Sequence, residues 1–372
     1  MIKVLQIYDS IEISGGISAV IMGWCRNIDR KEVQMDFLCS WKEEPSYEDE
    51  IRNLGSQIWY IEETNHIVSY LKHIHKVQNF FKNHANNYDV IHLHSAIFSY
   101  PYLYYAKKYG HNIRIIHVHS CAYGNTRLSS IRNQILSLPM KYMADYYWAC
   151  SNEAASIWFE RRNIANYTVI PNGIDVKKYE RNNDVRKKYR VSLGIDDNEI
   201  IIGHISNMTE IKNLPFLLDL VNKLVHEHSN IRLLLVGKDI LPGTVAEQIH
   251  KYNLYEKVIN VGVRKDINNI IQTFDLCLMP SISEGYGIVP VEVQACGVPV
   301  VMSIGFPSIV CFAENAFRLD LNTDLWLETI DSILSDCTYV DNTVSEQIKN
   351  YDVREITANI LQLYEQYSES NT

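Results

Sequence analysis

Two doubly wound α/β domains facing across a cleft are the fold class this sequence predicts, and three observations predict it. Short apolar runs of strand length recur along the chain with helix-patterned stretches between them, the mark of mainly parallel sheets covered on both faces. The series resets once, after Val169-Ile-Pro-Asn-Gly-Ile-Asp175, where Pro171 and Gly173 punctuate the chain. A length of 372 residues is long for one core and comfortable for two.

The first domain, residues 1–170, opens with a buried-type strand, Ile2–Tyr8. A loop with Ser14-Gly15-Gly16 follows, then a helical run from Ile17 to about Asn27. Further strand candidates lie at 35–38, 58–61, Val90–Leu93, Ile113–Val118 and 146–150. The charged run from Lys177 to Lys188 reads as a linker or surface segment. The second domain, residues 171–352, has strand candidates at Ile200–Ile205, Ile231–Val236, 258–261, Leu276–Met279 and 299–302. A terminal amphipathic helix within 353–372, with Ile356, Ile360, Leu361, Leu363 and Tyr364 apolar, is expected to pack back on the first domain. In open sheets of this kind ligands sit at the carboxyl ends of the strands.

Composition narrows the class. A hydrophobic content of 47% and a charged content of 21% are those of an ordinary soluble globular protein. No apolar run reaches the roughly 20 residues needed to span a bilayer, and the N-terminus reads as a strand, not a signal peptide. The eight cysteines, at 25, 39, 121, 150, 277, 296, 311 and 337, form no C-x-x-C pair and read as reduced thiols of a cytosolic protein. The net charge is −9, with residues 1–170 at +1 and residues 171–372 at −10. Without a basic stripe to neutralise phosphates, nucleic-acid binding is disfavoured.

The strongest constellation begins where strand Leu276–Met279 ends at Pro280. A loop 281–287 leads into a short helix from about Ile288 to Cys296, with Pro290 tolerable in its first turn and Gly297 at its exit. Gly285 and Gly287 let backbone pass close to a ligand, and the helix N-terminus offers unpaired N–H groups to a diphosphate without a metal. Glu284 stands just before this anion site. Glu292 lies in the second turn, where a carboxylate can accept two hydrogen bonds from a ribose diol. Asp-x-Asp occurs nowhere in the chain.

Glu284-x7-Glu292 followed by Ala295-Cys-Gly-Val-Pro-Val resembles the E-x7-E motif of glycosyltransferase family 4, retaining enzymes of the GT-B fold. Gly15-Gly16-Ile-Ser-Ala-Val resembles the family's N-terminal glycine loop, His117-Val-His119-Ser its strand-end histidine motif, and Cys150-Ser-Asn-Glu-Ala its C-S-x-x-A. Val169-Ile-Pro-Asn-Gly-Ile-Asp175 resembles the hinge segment, and Leu234-Leu-Val-Gly237 and Asp275-Leu-Cys-Leu-Met-Pro-Ser281 complete an ordered set across nearly the whole chain. The resemblance is to the bacterial exopolysaccharide and capsule type.

The resemblance implies roles. Lys212, Glu284, the backbone of Gly285, Tyr286, Gly287 and Ile288, and Glu292 would hold the donor, with Gly15 and Gly16 approaching its phosphate and His119 bonding its sugar. His119, Lys212 and Glu284 are the expected catalytic set. The family carries an Arg and a Lys at the spacing of Asn207 and Lys212, so Asn207 replaces one cation and cannot make the bidentate fork; Arg264 is the candidate to compensate. His92 and His94 form a second strand-end pair, read as core or supporting residues; a His92/His94/His117/His119 metal site lacks a carboxylate and motif support. The stretch 125–146 mixes Arg127, Arg132 and Lys141 with Ile131, Ile135, Leu136, Leu138 and Met140, and Pro139 breaks any helix there. A partly buried domain helix is the plainer reading; an apolar and basic surface for a lipid-linked acceptor at a membrane is the alternative.

The resulting expectation is a retaining glycosyltransferase, cytoplasmic or peripheral at the inner membrane face. It would move a sugar from a nucleoside-diphosphate sugar, a UDP-sugar first among them, to a hydroxyl of a cell-surface glycan or lipid-linked glycan. It would use no metal or other cofactor. The alternatives are a UDP-sugar epimerase on the same fold and a catalytically impaired partner subunit.

Overall fold

The computed structural model describes residues 1–13, 15–62, 70–110, 113–124, 126–240, 243–335 and 346–370; Ser14, Asn125 and Cys337, named above, lie outside them. The chain forms two compact units, Met1–Gly173 with Asp352–Thr372, and Ile174–Tyr351.

The first unit runs β1 (Ile2–Tyr8), α1 (Gly16–Asn27), β2 (Val33–Trp41), α2 (Glu48–Asn53), β3 (Ile58–Glu62), α3 (Tyr70–His84), β4 (Val90–Leu93), α4 (Ser99–Tyr109), β5 (Ile113–Val118), α5 (Arg127–Leu136), α6 (Met140–Met143), β6 (Tyr146–Ala149), α7 (Asn152–Trp158) and β7 (Thr168–Val169). Among the described residues these strands make one parallel seven-stranded sheet in the order β3-β2-β1-β4-β5-β6-β7. The order reverses at β1, so β1 and β4 flank the point where successive crossovers depart to opposite sides. β4 and β5 are buried along their whole length, which their β-branched runs require in a sheet covered on both faces. α5 stops at Leu136, and Pro139 caps the separate turn of α6.

The second unit runs α8 (Asn183–Ser192), β8 (Ile200–Ile205), α9 (Leu214–Glu227), β9 (Ile231–Val236), α10 (Thr244–Lys251), β10 (Val258–Asn260), α11 (Ile267–Ile271), β11 (Leu276–Met279), α12 (Ile288–Ala295), β12 (Val300–Ser303), β13 (Ala316–Leu319) and α13 (Thr323–Ser335). Its parallel sheet has the order β10-β9-β8-β11-β12-β13, again reversing at one pair, β8 and β11. α9 buries Leu217, Leu220, Val221 and Leu224 against strand residues Leu233 and Leu235 and against Trp326.

The chain then returns to the first unit with α14 (Val353–Ser370), which packs along α1 and buries Ile356, Ile360 and Tyr364.

Two expectations change. The run 177–188, read as a linker or surface segment, keeps most of its charges exposed but is no linker. Val176–Tyr179 forms a 3-10 turn with Tyr179 buried, and α8 follows. Arg186 and Arg190 clamp Asp275 at 2.5 and 3.3 Å. That carboxylate also accepts from the Ile201 N–H at 2.7 Å, so α8 is tied to the foot of the central strands. Arg186 did not stand out from its exposed neighbours because its partner lies 89 residues away in the chain. Strands β7 and β13 add edges that the sequence did not announce, since both are short and only partly buried.

Candidate active site

In the second unit the loops after β8 and β11 meet at the carboxyl edge of the sheet, across the reversal point. The Ile282 N–H donates to the Ile211 carbonyl at 2.7 Å. This holds Lys212 against Glu284, the ammonium donating to Oε1 at 2.5 Å with both side chains largely shielded from water. The Glu284 N–H donates to the Gly305 carbonyl at 2.9 Å, which fixes that loop from the other side. His204 is wedged below, one ring nitrogen on the Leu278 carbonyl and the other on Ser206 Oγ, both at 2.8 Å. Burial, helped by the Lys212 charge, lowers its pKa to about 4, so it stays neutral.

α12 starts at Gly287, whose φ of +77° suits only glycine, and a side chain there would strike the Phe306 ring at 2.3 Å. No side chain caps this helix and no acid stands in its first turn. Its third residue is Pro290, which has no N–H to satisfy. The first-turn N–H groups of Ile288 and Val289 are therefore available to an anion. One turn on, Glu292 accepts from the Tyr179 hydroxyl at 2.5 Å. Burial raises its pKa to about 7, with the tyrosine hydrogen bond pulling the other way.

Of the residues singled out from sequence, Lys212, Glu284, Gly285, Tyr286, Gly287, Ile288 and Glu292 thus lie along two neighbouring loops and one helix start. Asn207 lies in the loop after β8, five residues before Lys212, and is partly buried. Arg264 lies in the loop after β10, its guanidinium forked onto Asp266 at 2.8 and 2.6 Å, as Lys212 is paired with Glu284. Tyr179 and His204 were missed. The one signal for Tyr179 was an aromatic residue inside an otherwise charged run.

In the first unit Gly15 caps α1 and Gly16 begins it. The four strand-end histidines are buried and stacked, His92 against His94 at 4.3 Å between centroids and His117 against His119 at 4.1 Å. They are joined into one polar chain through Gln6 and Tyr364. His117 meets His92 at 3.3 Å, His92 meets the Tyr364 hydroxyl at 2.7 Å, and that hydroxyl accepts from the Gln6 amide at 3.2 Å. The Gln6 carbonyl faces His94 Nε2 at 2.7 Å, and His94 Nδ1 faces His119 Nε2 at 3.0 Å. Burial pushes all four pKa values down, that of His119 to about 4, so each ring is neutral with one N–H. A carbonyl only accepts, so His94 carries its proton on Nε2 and accepts at Nδ1 from His119 Nε2–H. His119 Nδ1 makes no hydrogen bond to a described residue and lies beside Asn172. Three of these rings place nitrogens within 4.8 Å of one another, but the hydrogen-bonded chain already accounts for the approach.

Two cavities open at the same carboxyl edge. One of about 250 Å³ is lined by His119, His94, Ser120 and Trp158 among others, and one of about 500 Å³ by Ser40, Trp41, His73, Phe98, Tyr102 and Arg132. Tyr8, Asp9, Ser95, Ile97 and Asn133 line both.

Comparison with known proteins agrees with this architecture. Residues 185–352 match the sequence model of the glycosyl transferases group 1, and residues 14–178 that of Glycosyltransferase Family 4. EpsF of Bacillus subtilis, named as a glycosyltransferase, is 28% identical over 323 residues, covering 85% of this chain and 84% of that protein. Protein CapJ of Staphylococcus aureus is 30% identical over 185 residues, 47% of this chain and 44% of CapJ. Among solved structures, Anabaena HepE in complex with UDP and glucose superposes with a TM-score of 0.81 at 18% identity, covering 98% of this chain and all of HepE.

Proposed function

The chain is a glycosyltransferase of family 4 with the GT-B fold, and from that premise we propose that it moves a sugar, with retention, from a UDP-sugar to a hydroxyl of a cell-surface polysaccharide precursor. The observation that carries the donor half is the Lys212–Glu284 pair lying against the uncapped start of α12. A diphosphate at that helix start is met by backbone N–H groups and by Lys212, which has only to turn from Glu284 to the phosphate. Glu284, released, accepts from hydroxyls of the transferred sugar, and Glu292 from the ribose diol. The leaving phosphate oxygen then takes the proton of the acceptor hydroxyl as it attacks on the same face. Lys212 stabilises the charge that develops on the leaving group. UDP as the nucleotude is favoured by the HepE structures, solved with UDP and with UDP-glucose.

The acceptor half belongs to the first unit. His119, held neutral by burial, serves as a hydrogen-bonding group there and not as an acid. Peripheral membrane contact through α5 completes the reading. Leu128, Ile131 and Ile135 expose 82, 57 and 61% of their surface on successive turns, beside exposed Arg127 and Arg132. Residues 90–144 contain no Asp or Glu, in a chain whose net charge is −9. Such a face suits the anionic cytoplasmic leaflet and a lipid-linked acceptor. Among the described residues no helix is long and apolar enough to cross a membrane.

The test is a thermal-shift screen with UDP, GDP and their sugars, followed by product analysis with and without acceptor. UDP and one UDP-sugar should stabilise the protein, and Glu284→Ala should abolish transfer while UDP still binds. If no nucleotide stabilises the chain, the donor site is wrong. If the UDP-sugar is converted without an acceptor, the reaction is an epimerisation.

A further inference from the structure

We infer that Asp9 binds the acceptor: its carboxylate takes the vicinal hydroxyls of a neutral pyranose seated in the larger cavity of the first unit. The inference rests on the transferase reading, which leaves the acceptor-binding residues unassigned.

Asp9 follows the last residue of β1, at the reversal point of the first sheet, the position where open α/β sheets bind ligands. It lines both cavities. Its carboxylate makes no hydrogen bond or ion pair with any described residue, although burial is deep enough to raise its pKa to about 6. Asp9 is part-buried, so its carboxylate keeps an open side toward the cavities, and a ligand that donates hydrogen bonds there would replace solvent and relieve its partial desolvation.

The surroundings select the ligand. Tyr8, Trp41, Phe98 and Tyr102 give the larger cavity aromatic surface for the C–H faces of a sugar ring, and about 500 Å³ is within the range of small-molecule sites. Ser40 Oγ and the Tyr102 hydroxyl lie 3.0 Å apart, and His73 Nε2 is 3.1 Å from the same hydroxyl, so this polar cluster is already internally bonded. The other ionisable side chains on the two cavities are Arg132, His73, His94, His119, Tyr8, Tyr102 and Tyr123, with Glu62 behind His73 at 3.4 Å and Glu12 acting on Tyr8, and Cys39 and Tyr102 feel the Asp9 charge. Among the described residues no second carboxylate lines either cavity, and Arg132 opposes a cation. The site therefore suits hydroxyl donors and not an amine. A diol gives the carboxylate two short O–H···O⁻ bonds. Arg132 and the apolar face of α5 then stand where the phosphate and lipid of a carrier-linked sugar would continue.

The test is saturation-transfer NMR with methyl glycosides of glucose, galactose and N-acetylglucosamine, on wild type and Asp9→Asn, with UDP binding measured in parallel. Wild type should bind at least one glycoside, and Asp9→Asn should weaken it roughly ten- to a hundredfold. Wild-type affinity should fall as pH drops through about 6, where the carboxylate protonates, and the variant should be flat. UDP affinity should not change, and the melting temperature of the variant should hold or rise, since a desolvated charge is removed. Unchanged glycoside affinity in Asp9→Asn, or no glycoside binding to wild type, overturns the inference. Loss of UDP binding by wild type would instead strike the donor reading, so the two failures are separable. Asp9→Glu, which keeps the charge and shifts it by one methylene, should bind more weakly than wild type yet keep the pH dependence.

Discussion

The Glu292 carboxyl sits one turn into α12 with a tyrosine hydroxyl donating to it, and burial raises its pKa from 4.5 to about 7. Such a group holds its proton in the folded state at a pH where the unfolded chain has released it. The stability it confers is full below about 4.5 and is lost as pH rises through about 7. A carboxylate kept partly protonated and on a single tyrosine is poorly satisfied until a diol arrives. Glu292→Gln should therefore raise the melting temperature at pH 8, with the gain shrinking toward pH 5 in a thermal scan. The same variant should lose UDP affinity, about tenfold by calorimetry, because the amide offers one acceptor oxygen where the carboxylate offers two. Unchanged UDP affinity would take Glu292 out of ribose binding, whatever the stability does. Glu284 differs: it is neutralised by Lys212, and the two together form a pair that a phosphate can open.

At the level of elements, the α12 start and α5 show how unevenly function is written in sequence. The strand Leu276–Met279, the glycine loop and the helix with its exit could be read in order, because turn residues and apolar period are local signals. Lys212 was legible only through the family resemblance, and its contact with Glu284 depends on β8 and β11 being neighbours, which no local signal encodes. Tyr179 was illegible for the same reason, its partner being 113 residues away. α5 was legible as apolar and basic but not as exposed, since the same pattern fits a helix packed on a core; only Asn133 of it is buried. That exposure is testable. Wild type should co-sediment with vesicles containing anionic phospholipid and less with neutral ones, while Leu128→Glu/Ile131→Glu should remain in the supernatant with UDP binding intact. Equal co-sedimentation of wild type and variant would make α5 an ordinary solvated helix.

Over the whole molecule, acid acts unequally on the two units. The first unit buries His73, His92, His94, His117 and His119 with lowered pKa values, that of His119 about 4. A neutral buried histidine stabilises fully above its unfolded value near 6.5, and the contribution is lost as pH falls toward the folded value. Asp9 opposes this, as does Asp145, whose pKa burial also raises, but they are two groups against five. The second unit has His204 on the acid-labile side and Glu292 on the other, so the two largely offset. Between pH 7 and pH 5 the first unit should lose stability and the second should change little. Five of the six tryptophans, Trp24, Trp41, Trp59, Trp148 and Trp158, belong to the first unit and only Trp326 to the second, so fluorescence follows the first. Calorimetry at pH 5 should resolve two transitions, with tryptophan fluorescence tracking the lower one. UDP binds only the folded second unit in the present assignment, so adding it should raise the upper transition by mass action and leave the lower in place. If fluorescence follows the upper transition, the histidine chain is not what acid attacks; if UDP raises the lower one, the nucleotide is held by the first unit.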